Sequence, residues 1–269
     1  MSKEQEVLEI LQEMTKNMSE GLSKLSEVFE RLNEPKNCYN ESVEEIYKQF
    51  VDLVQDHSTD EVINEINKCK RYSLADIIYL IQNNAISDAL LGKIITIPNA
   101  GRCNLFKIIG VNYEGTSNTI DAQSIHNAIP EQYFDDSTNI YKDSSIRKYL
   151  NNEYLEGFCK LAKDLMVTMQ VKSNGDVLND KVKILSMTEM GMEEYINDRI
   201  VQNEGEEYPL YIHMLKDTVE DHDYIIHMTR SRDLGYGSGV WRIYSNGGVS
   251  YDGVDYERGA APVIRLGKQ

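Results

Sequence analysis

Cysteine and proline are scarce in this chain, with four of the first and five of the second in 269 residues. The cysteines, Cys38, Cys69, Cys103 and Cys159, are scattered and form no Cys-x-x-Cys pair. That spacing speaks against a zinc ribbon or a dithiol centre and leaves buried free thiols in a reducing compartment as the simple account. Long apolar runs are also missing. The longest, Ile77-Ile78-Tyr79-Leu80-Ile81, is far too short to cross a bilayer. Positive charge is in deficit, 28 Lys and Arg against 44 Asp and Glu, for a formal charge of −16. A field of that sign repels nucleic-acid phosphates and anionic membrane surfaces, so neither nucleic acid nor membrane insertion is expected. The opening residues, Met1-Ser2-Lys3-Glu4-Gln5-Glu6, show no basic patch followed by an apolar stretch. The expectation is therefore synthesis in a bacterial cytoplasm without a secretory signal.

What remains is an ordinary globular composition, 41% hydrophobic and 27% charged. Such a length accommodates one large domain or two modest ones. Asn, Ile, Lys, Tyr and Glu are abundant, as AT-rich codons would spell them. This points to a gene from an AT-rich bacterium or a phage of one.

Residues 1–34 carry apolar side chains at Val7, Leu11, Met14, Met18, Leu22, Leu25, Phe29 and Leu32. Steps of three and four make this a heptad seam with one slip near Gly21. Pro35 ends the helix. The seam is read as an oligomerising coiled coil, in a dimer or trimer; the alternative is a helix packed on its own chain. Residues 35–91 read as a small helical bundle or docking region. One helix holds Val43, Ile46, Tyr47, Phe50, Val51 and Val54; a second is capped at Ser58 or Thr59; a third starts at Ser73. At Gly92 the character changes. Ile94-Ile95-Thr96-Ile97 and Phe106-Lys107-Ile108-Ile109-Gly110-Val111 are β-rich runs around turn residues Asn99-Ala100-Gly101, which reads as a hairpin. Asp143-Ser144-Ser145 caps a helix, and Val167–Val171 and Val182–Leu185 read as strands. The tail is rich in glycine and aromatics. The fold class expected is α+β, a helical coiled-coil or bundle region followed by a mixed domain over 92–269.

Several segments of that domain form an ordered series. They are Gly92-Lys93-Ile94-Ile95-Thr96-Ile97-Pro98, then Ser144-Ser145-Ile146-Arg147-Lys148-Tyr149-Leu150-Asn151, then Asp180-Lys181-Val182-Lys183-Ile184-Leu185-Ser186 with Glu189. After them come Thr229-Arg230-Ser231, Val240-Trp241-Arg242-Ile243 and Ala260-Ala261-Pro262-Val263-Ile264-Arg265-Leu266. The series resembles a family of bacterial and phage domains with a C-type-lectin-like fold, a fold shared by formylglycine-generating enzymes and phage tropism determinants. Tyr149 stands where that family commonly has Trp. The motif residues are read as structural, with Arg147 expected to pair with a carboxylate or a strand carbonyl.

Catalysis finds little footing. Cysteine-oxidase chemistry needs a late cysteine pair, and none follows Cys159. There is no Gly-x-Ser-x-Gly elbow and no phosphate-cradling loop. His213, His222 and His227 with Asp217, Glu220, Asp221 and Asp223 match no helical zinc motif. Asp252, Asp255 and Glu257 could offer oxygens to calcium, but the sugar-binding runs of calcium-dependent lectins are missing. No enzyme activity, cofactor or metal is expected. The stretch 236–258, dense in Tyr, Asn, Ser, Gly and Arg, has the composition of an adaptable contact surface. Tyr236, Trp241, Tyr244, Asn246, Tyr251, Asp252, Asp255 and Tyr256 are the ligand-binding candidates. By resemblance they match the final segment in which tropism determinants bind. Trp241 stays open between strand core and contact residue. The function expected is a phage or prophage-like virion component, a decoration, fibre or receptor-binding protein. Its partners would be further copies, other virion proteins or a host-surface protein or glycan. The alternative is a cytoplasmic bacterial ligand-binding or regulatory module.

Overall fold

Two capping boxes start the described chain's early helices. The computed structural model describes residues 43–55, 57–69, 71–100, 102–125, 129–192, 199–200, 203–214, 227–244 and 248–268. Helix α1 is Val43–Val54, α2 is Thr59–Lys68 and α3 is Leu74–Gln82. Ser58 accepts from the Glu61 N–H while the Glu61 carboxylate accepts from the Ser58 N–H, and Ser73 and Asp76 repeat the exchange. Each box satisfies amide donors that a helix start would leave orphaned. Helix α2 buries Val62 and Ile66, one turn apart on a single stripe. Helix α3 buries Leu74, Ala75, Ile77, Ile78, Leu80 and Ile81, apolar on nearly every side. Such a helix belongs inside a core, and there it lies. One cluster of buried side chains runs from Phe50 and Val54 through Ile77 and Ile81 to Phe106, Ile120, Ile264 and Leu266.

The strands carry the architecture. A six-stranded sheet has the order β1-β2-β3-β4-β13-β8, and a five-stranded sheet has the order β11-β10-β9-β12-β5. In the first, β1 is Arg71–Ser73, β2 Ile94–Asn99, β3 Arg102–Val111, β4 Thr119–Ser124, β8 Val182–Lys183 and β13 Val263–Gly267. The expected hairpin is β2 and β3, antiparallel from Ile94↔Lys107 to Asn99↔Arg102. Strand β1 joins its edge in parallel, Ser73 beside Thr96. The last strand, β13, is antiparallel to both β4 and β8 and sits between them. In the second sheet, β5 is Ile129–Gln132, β9 His227–Arg232, β10 Gly239–Ile243, β11 Val249–Gly253 and β12 Arg258–Ala260. A separate hairpin, β6 Met169–Ser173 and β7 Asp176–Asp180, turns at Asn174-Gly175, both at positive φ. Asn and Gly tolerate that left-handed geometry best.

Three more short α-helices are described, α4 Ser145–Tyr149, α5 Lys160–Leu165 and α6 Pro209–Met214, besides 3-10 turns at Asp88–Leu90, Tyr113–Gly115 and Tyr141–Asp143. Ser144 caps α4 by accepting from the Arg147 N–H, and α4 runs on into a π turn at Leu150–Tyr154.

The expected fold class is corrected here. The described residues are mixed α/β with most of the structure in strands, and their six helices are short, the longest of 12 residues. The helices after Pro35 are no separate bundle ahead of a lectin-like domain. Their apolar faces share the core of the sheet, because α3 is too apolar to leave uncovered and β1 carries the sheet back across position 92. The heptad seam at Val7, Leu11, Met14, Met18, Leu22, Leu25, Phe29 and Leu32 lies outside the described residues.

Candidate recognition surface

The residues of the ordered motif series go inward. Arg147 donates to both oxygens of Asp180 and to the Lys142 carbonyl. The Asn151 amide accepts from the N–H groups of Lys181 and Val182 and donates to the Val182 carbonyl, 2.8 Å away. Helix α4 is thereby pinned to the end of β7, and the π turn after it to β8, by polar contacts that the motif spells out. Deeper in, Glu189 is 1% exposed and receives Lys183 Nζ at 2.7 Å, Arg230, and the Ser186 N–H. Arg230, also 1% exposed, donates further to the carbonyls of Lys172, Ile184 and Glu204. Burial would raise the Glu189 carboxyl, but Arg230 and Lys183 override it and hold the group at about 2. Burial also lifts the Glu204 carboxyl, against Arg230 and the hydrogen bonds from Ser231, Asn174 and Ser173.

Gly205, at φ +124, makes the closure possible: a Cβ there would stand 2.7 Å from Glu189 Cγ. A second buried pair, Arg265 on Asp121, follows directly from the β13–β4 register that sets them opposite. Tyr208 donates to the same Asp121 at 2.6 Å and stacks on Tyr113, centroids 4.0 Å apart. These groups have their partners inside the fold, so their chemistry is structural.

The glycine- and tyrosine-rich tail behaves differently. Strands β10 and β11 pair antiparallel, placing Trp241 beside Tyr251 and Val240 beside Asp252. Successive residues of a strand face opposite ways, so Tyr251 and Asp252 organise two separate groups. Around Tyr251 lie Trp241, its ring 5.8 Å away, and Tyr236, its ring 5.7 Å away. The Arg199 guanidinium stands 4.5 Å from the Tyr251 ring centre and 5.2 Å from that of Trp241. Asp233 holds it in place, accepting from both Nε and Nη2. An arginine laid on aromatic faces and clamped by a carboxylate is a stiff, amphipathic contact element.

Around Asp252 lie Arg242 and Arg258, both donating to one of its oxygens. Arg242 also donates to the Tyr244 hydroxyl and lies over that ring at 4.7 Å, while Arg258 lies over Tyr256 at 5.6 Å. Tyr133 adds a bond to Glu257 at 2.7 Å.

The structure thus brings together most of the candidates and sorts them. Tyr236, Tyr251 and Tyr256 are exposed, at 50%, 38% and 56%. Tyr244 is half-buried, Asp252 is enclosed by its two arginines, and Asp255 is exposed. Trp241 resolves as core: it is 5% exposed and packs in the cluster of Met187, Met190 and Ile243. Asn246 lies outside the described residues, as do His222 and the side chains of His213 and His227. Among the described residues no three His, Cys, Asp or Glu gather into a metal-holding group. The calcium reading of Asp252 loses further ground because one oxygen of that carboxylate already accepts from Arg242 and Arg258.

Arg199, Asp233 and Tyr133 escaped the reading of the sequence. They lie outside the tail's dense run, and no local spacing links Arg199 to a ring at position 251. The arrangement offers flat rings, oriented guanidinium groups and hydroxyls, the side-chain types of an adaptable contact surface.

Comparison with known proteins places the domain. No curated protein and no solved structure matches the chain. A family model, "Domain of unknown function (DUF6273)", matches residues 117–267, from β4 to the end of β13. That span covers more than half of the chain, including both buried ion networks and the whole aromatic surface; the chain belongs to the DUF6273 family.

Proposed function

We propose that this chain is a recognition protein, non-enzymatic, which binds its partner through the surface around Tyr236, Tyr251 and Tyr256, and that it serves as a component of a phage or prophage-like particle. One observation carries the first part. Tyr251 on β11 and Tyr236 and Tyr256 in the loops flanking the β10–β11 hairpin are exposed, and the nearby arginines Arg199, Arg242 and Arg258 are already fixed by Asp233 and Asp252. Rings and guanidinium groups held in place before contact lose little entropy on binding, which is what a contact surface requires. The particle setting rests on the resemblance of the ordered motif series to phage and bacterial domains.

The test has two readouts. Labelled protein should adsorb to cells of the source bacterium's relatives, and a Tyr236→Ala, Tyr251→Ala, Tyr256→Ala triple variant should lose at least about tenfold in affinity without a change in melting temperature. Unchanged adsorption by the triple variant removes the surface from the account. Mass spectrometry of purified particles decides the setting, and absence of the chain from them defeats the virion assignment.

A second setting, a cytoplasmic ligand-binding or regulatory module, has its own support. Residues 43–82 are built into the domain's core instead of standing off as a stalk. Metabolic or signalling genes beside this one would favour it; capsid and tail genes would favour the particle.

A further inference from the structure

We infer that two copies of this chain join edge to edge through β11, extending the five-stranded sheet across a twofold axis at Tyr251. The inference goes beyond the recognition reading and does not depend on it.

Strand β11 ends the sheet order β11-β10-β9-β12-β5. Its backbone pairing is phased by two hydrogen bonds at the ends of the hairpin. The Tyr244 N–H donates to the Gly248 carbonyl at 2.8 Å, and the Val254 N–H donates to Ser238 at 3.0 Å. In an antiparallel pair, bonded and non-bonded positions alternate. Ser250 and Asp252 therefore bond inward to β10, while Val249, Tyr251 and Gly253 turn their N–H and C=O groups to the open edge. Among the described residues, neither Val249 nor Tyr251 uses its backbone groups elsewhere; the Gly253 carbonyl accepts from Tyr256. The strand is half-exposed along its length and Tyr251 is exposed.

Folded proteins ordinarily guard such an edge with lysine, proline or a bulge. The opposite edge of the same sheet has its guards: β5 contains Pro130, and its pairing with β12 is irregular between Arg258 and Ala260. Strand β11, Val-Ser-Tyr-Asp-Gly, has no lysine, no proline and an unbroken register with β10. An edge left open in this way is a template for another strand.

The residues of β11 say which strand. Set antiparallel to itself about Tyr251, every outward-bonding residue meets another: Tyr251 meets Tyr251 of the second copy, and Val249 meets Gly253. On the other side Ser250 meets Asp252, so a hydroxyl donor faces a carboxylate. The bulky Val249 falls opposite a residue without a side chain. No like charges are opposed. Sliding the axis to Asp252 would set two carboxylates against each other, which a strand pair disfavours. Sliding it to Ser250 leaves Gly253 beyond the partner strand. The self-complementary register is what a twofold contact demands, since each residue must fit the partner of its own image. In the dimer the Tyr236–Tyr251 pairs of both copies line up across the axis.

The test uses the full chain, with mass measured by size exclusion and light scattering. Ser250→Glu places two carboxylates opposite each other across the axis, while within one chain it sits beside Arg242 and leaves the fold alone. Ser250→Lys places a cation opposite Asp252. The wild type and S250K are expected at about twice the mass of S250E, with all three melting cooperatively. All three are compared with Leu11→Asp and Leu25→Asp also in place, so that self-association through the seam in residues 1–34 cannot hide the β11 contact. Equal masses for the wild type and S250E overturn the proposal. So does an S250K variant that dissociates as S250E does, because the register would then be wrong.

Discussion

Two arginines of this domain, Arg230 and Arg199, are each bound to a carboxylate and serve opposite ends. Arg230 is 1% exposed, and its guanidinium reaches Glu189 and three backbone carbonyls. Arg199 holds Asp233 equally closely, but its side chain is 41% exposed and its flat face covers Tyr251. The first closes a core; the second stiffens a surface. A buried ion pair is costly to break because the abandoned partner remains without water. An exposed one contributes little to stability and mainly sets geometry. Arg230 lies within the ordered series of segments read from the sequence, whereas Arg199 lies outside it.

This contrast can be broken from the inside out. Arg230→Met should leave Glu189 charged and short of its main partner, costing about 3–5 kcal/mol; the midpoint of urea unfolding measures it. Charge without a partner gives the next effect. Asp76 is fully buried like Glu189, but among the described residues no cation pairs with it, and its Oδ1 has no hydrogen-bond partner. Burial pushes its carboxyl from 3.8 up to about 7, against the hydrogen bonds from Ser73. A raised folded value means that the stabilisation is complete below the unfolded value and is lost as pH rises from about 4 through about 7. Over roughly three units the loss reaches at most about 4 kcal/mol. Asp76→Asn should flatten the dependence of stability on pH between 5 and 8. Glu189, held down to about 2, has the opposite sign: its share is present above 4.5 and is lost as pH falls through about 2. A cap is worth less, and Ser144→Ala should cost about 1 kcal/mol by chemical denaturation. Smallest of all, Tyr236→Ala should change stability by within about 0.5 kcal/mol while it removes an exposed ring from the contact surface. A large loss of stability in that variant would erase the distinction between the two regions.

Legibility followed the range of the interactions. Ser58–Glu61 and Ser73–Asp76 are three residues apart, and both helix starts could be read from the chain. The hairpin of Ile94–Asn99 and Arg102–Val111 was equally plain, because alternation and a turn are local signals. Arg147 was expected on a carboxylate or a strand carbonyl, and it binds Asp180 and the Lys142 carbonyl. The helical region was misjudged. Apolar periodicity marks a helix but does not say what covers it, and α3 found its cover in the sheet. Trp241 shows the same limit: a tryptophan on a glycine-rich strand could face either way until Met187 and Met190 closed over it.

Sequence alone determined the short-range elements, the acidic balance, the poverty of catalytic spacing and the tail's tyrosine-rich composition. Each depends on residues a few positions apart or on simple sums along the chain. Only the tertiary structure decided that β13 enters between β4 and β8, that α1 to α3 share the sheet's core, and that Arg199 covers a ring at position 251. Those contacts join residues tens or hundreds of positions apart, where the favourable pairing is set by packing and register across strands, and no spacing along the chain encodes it.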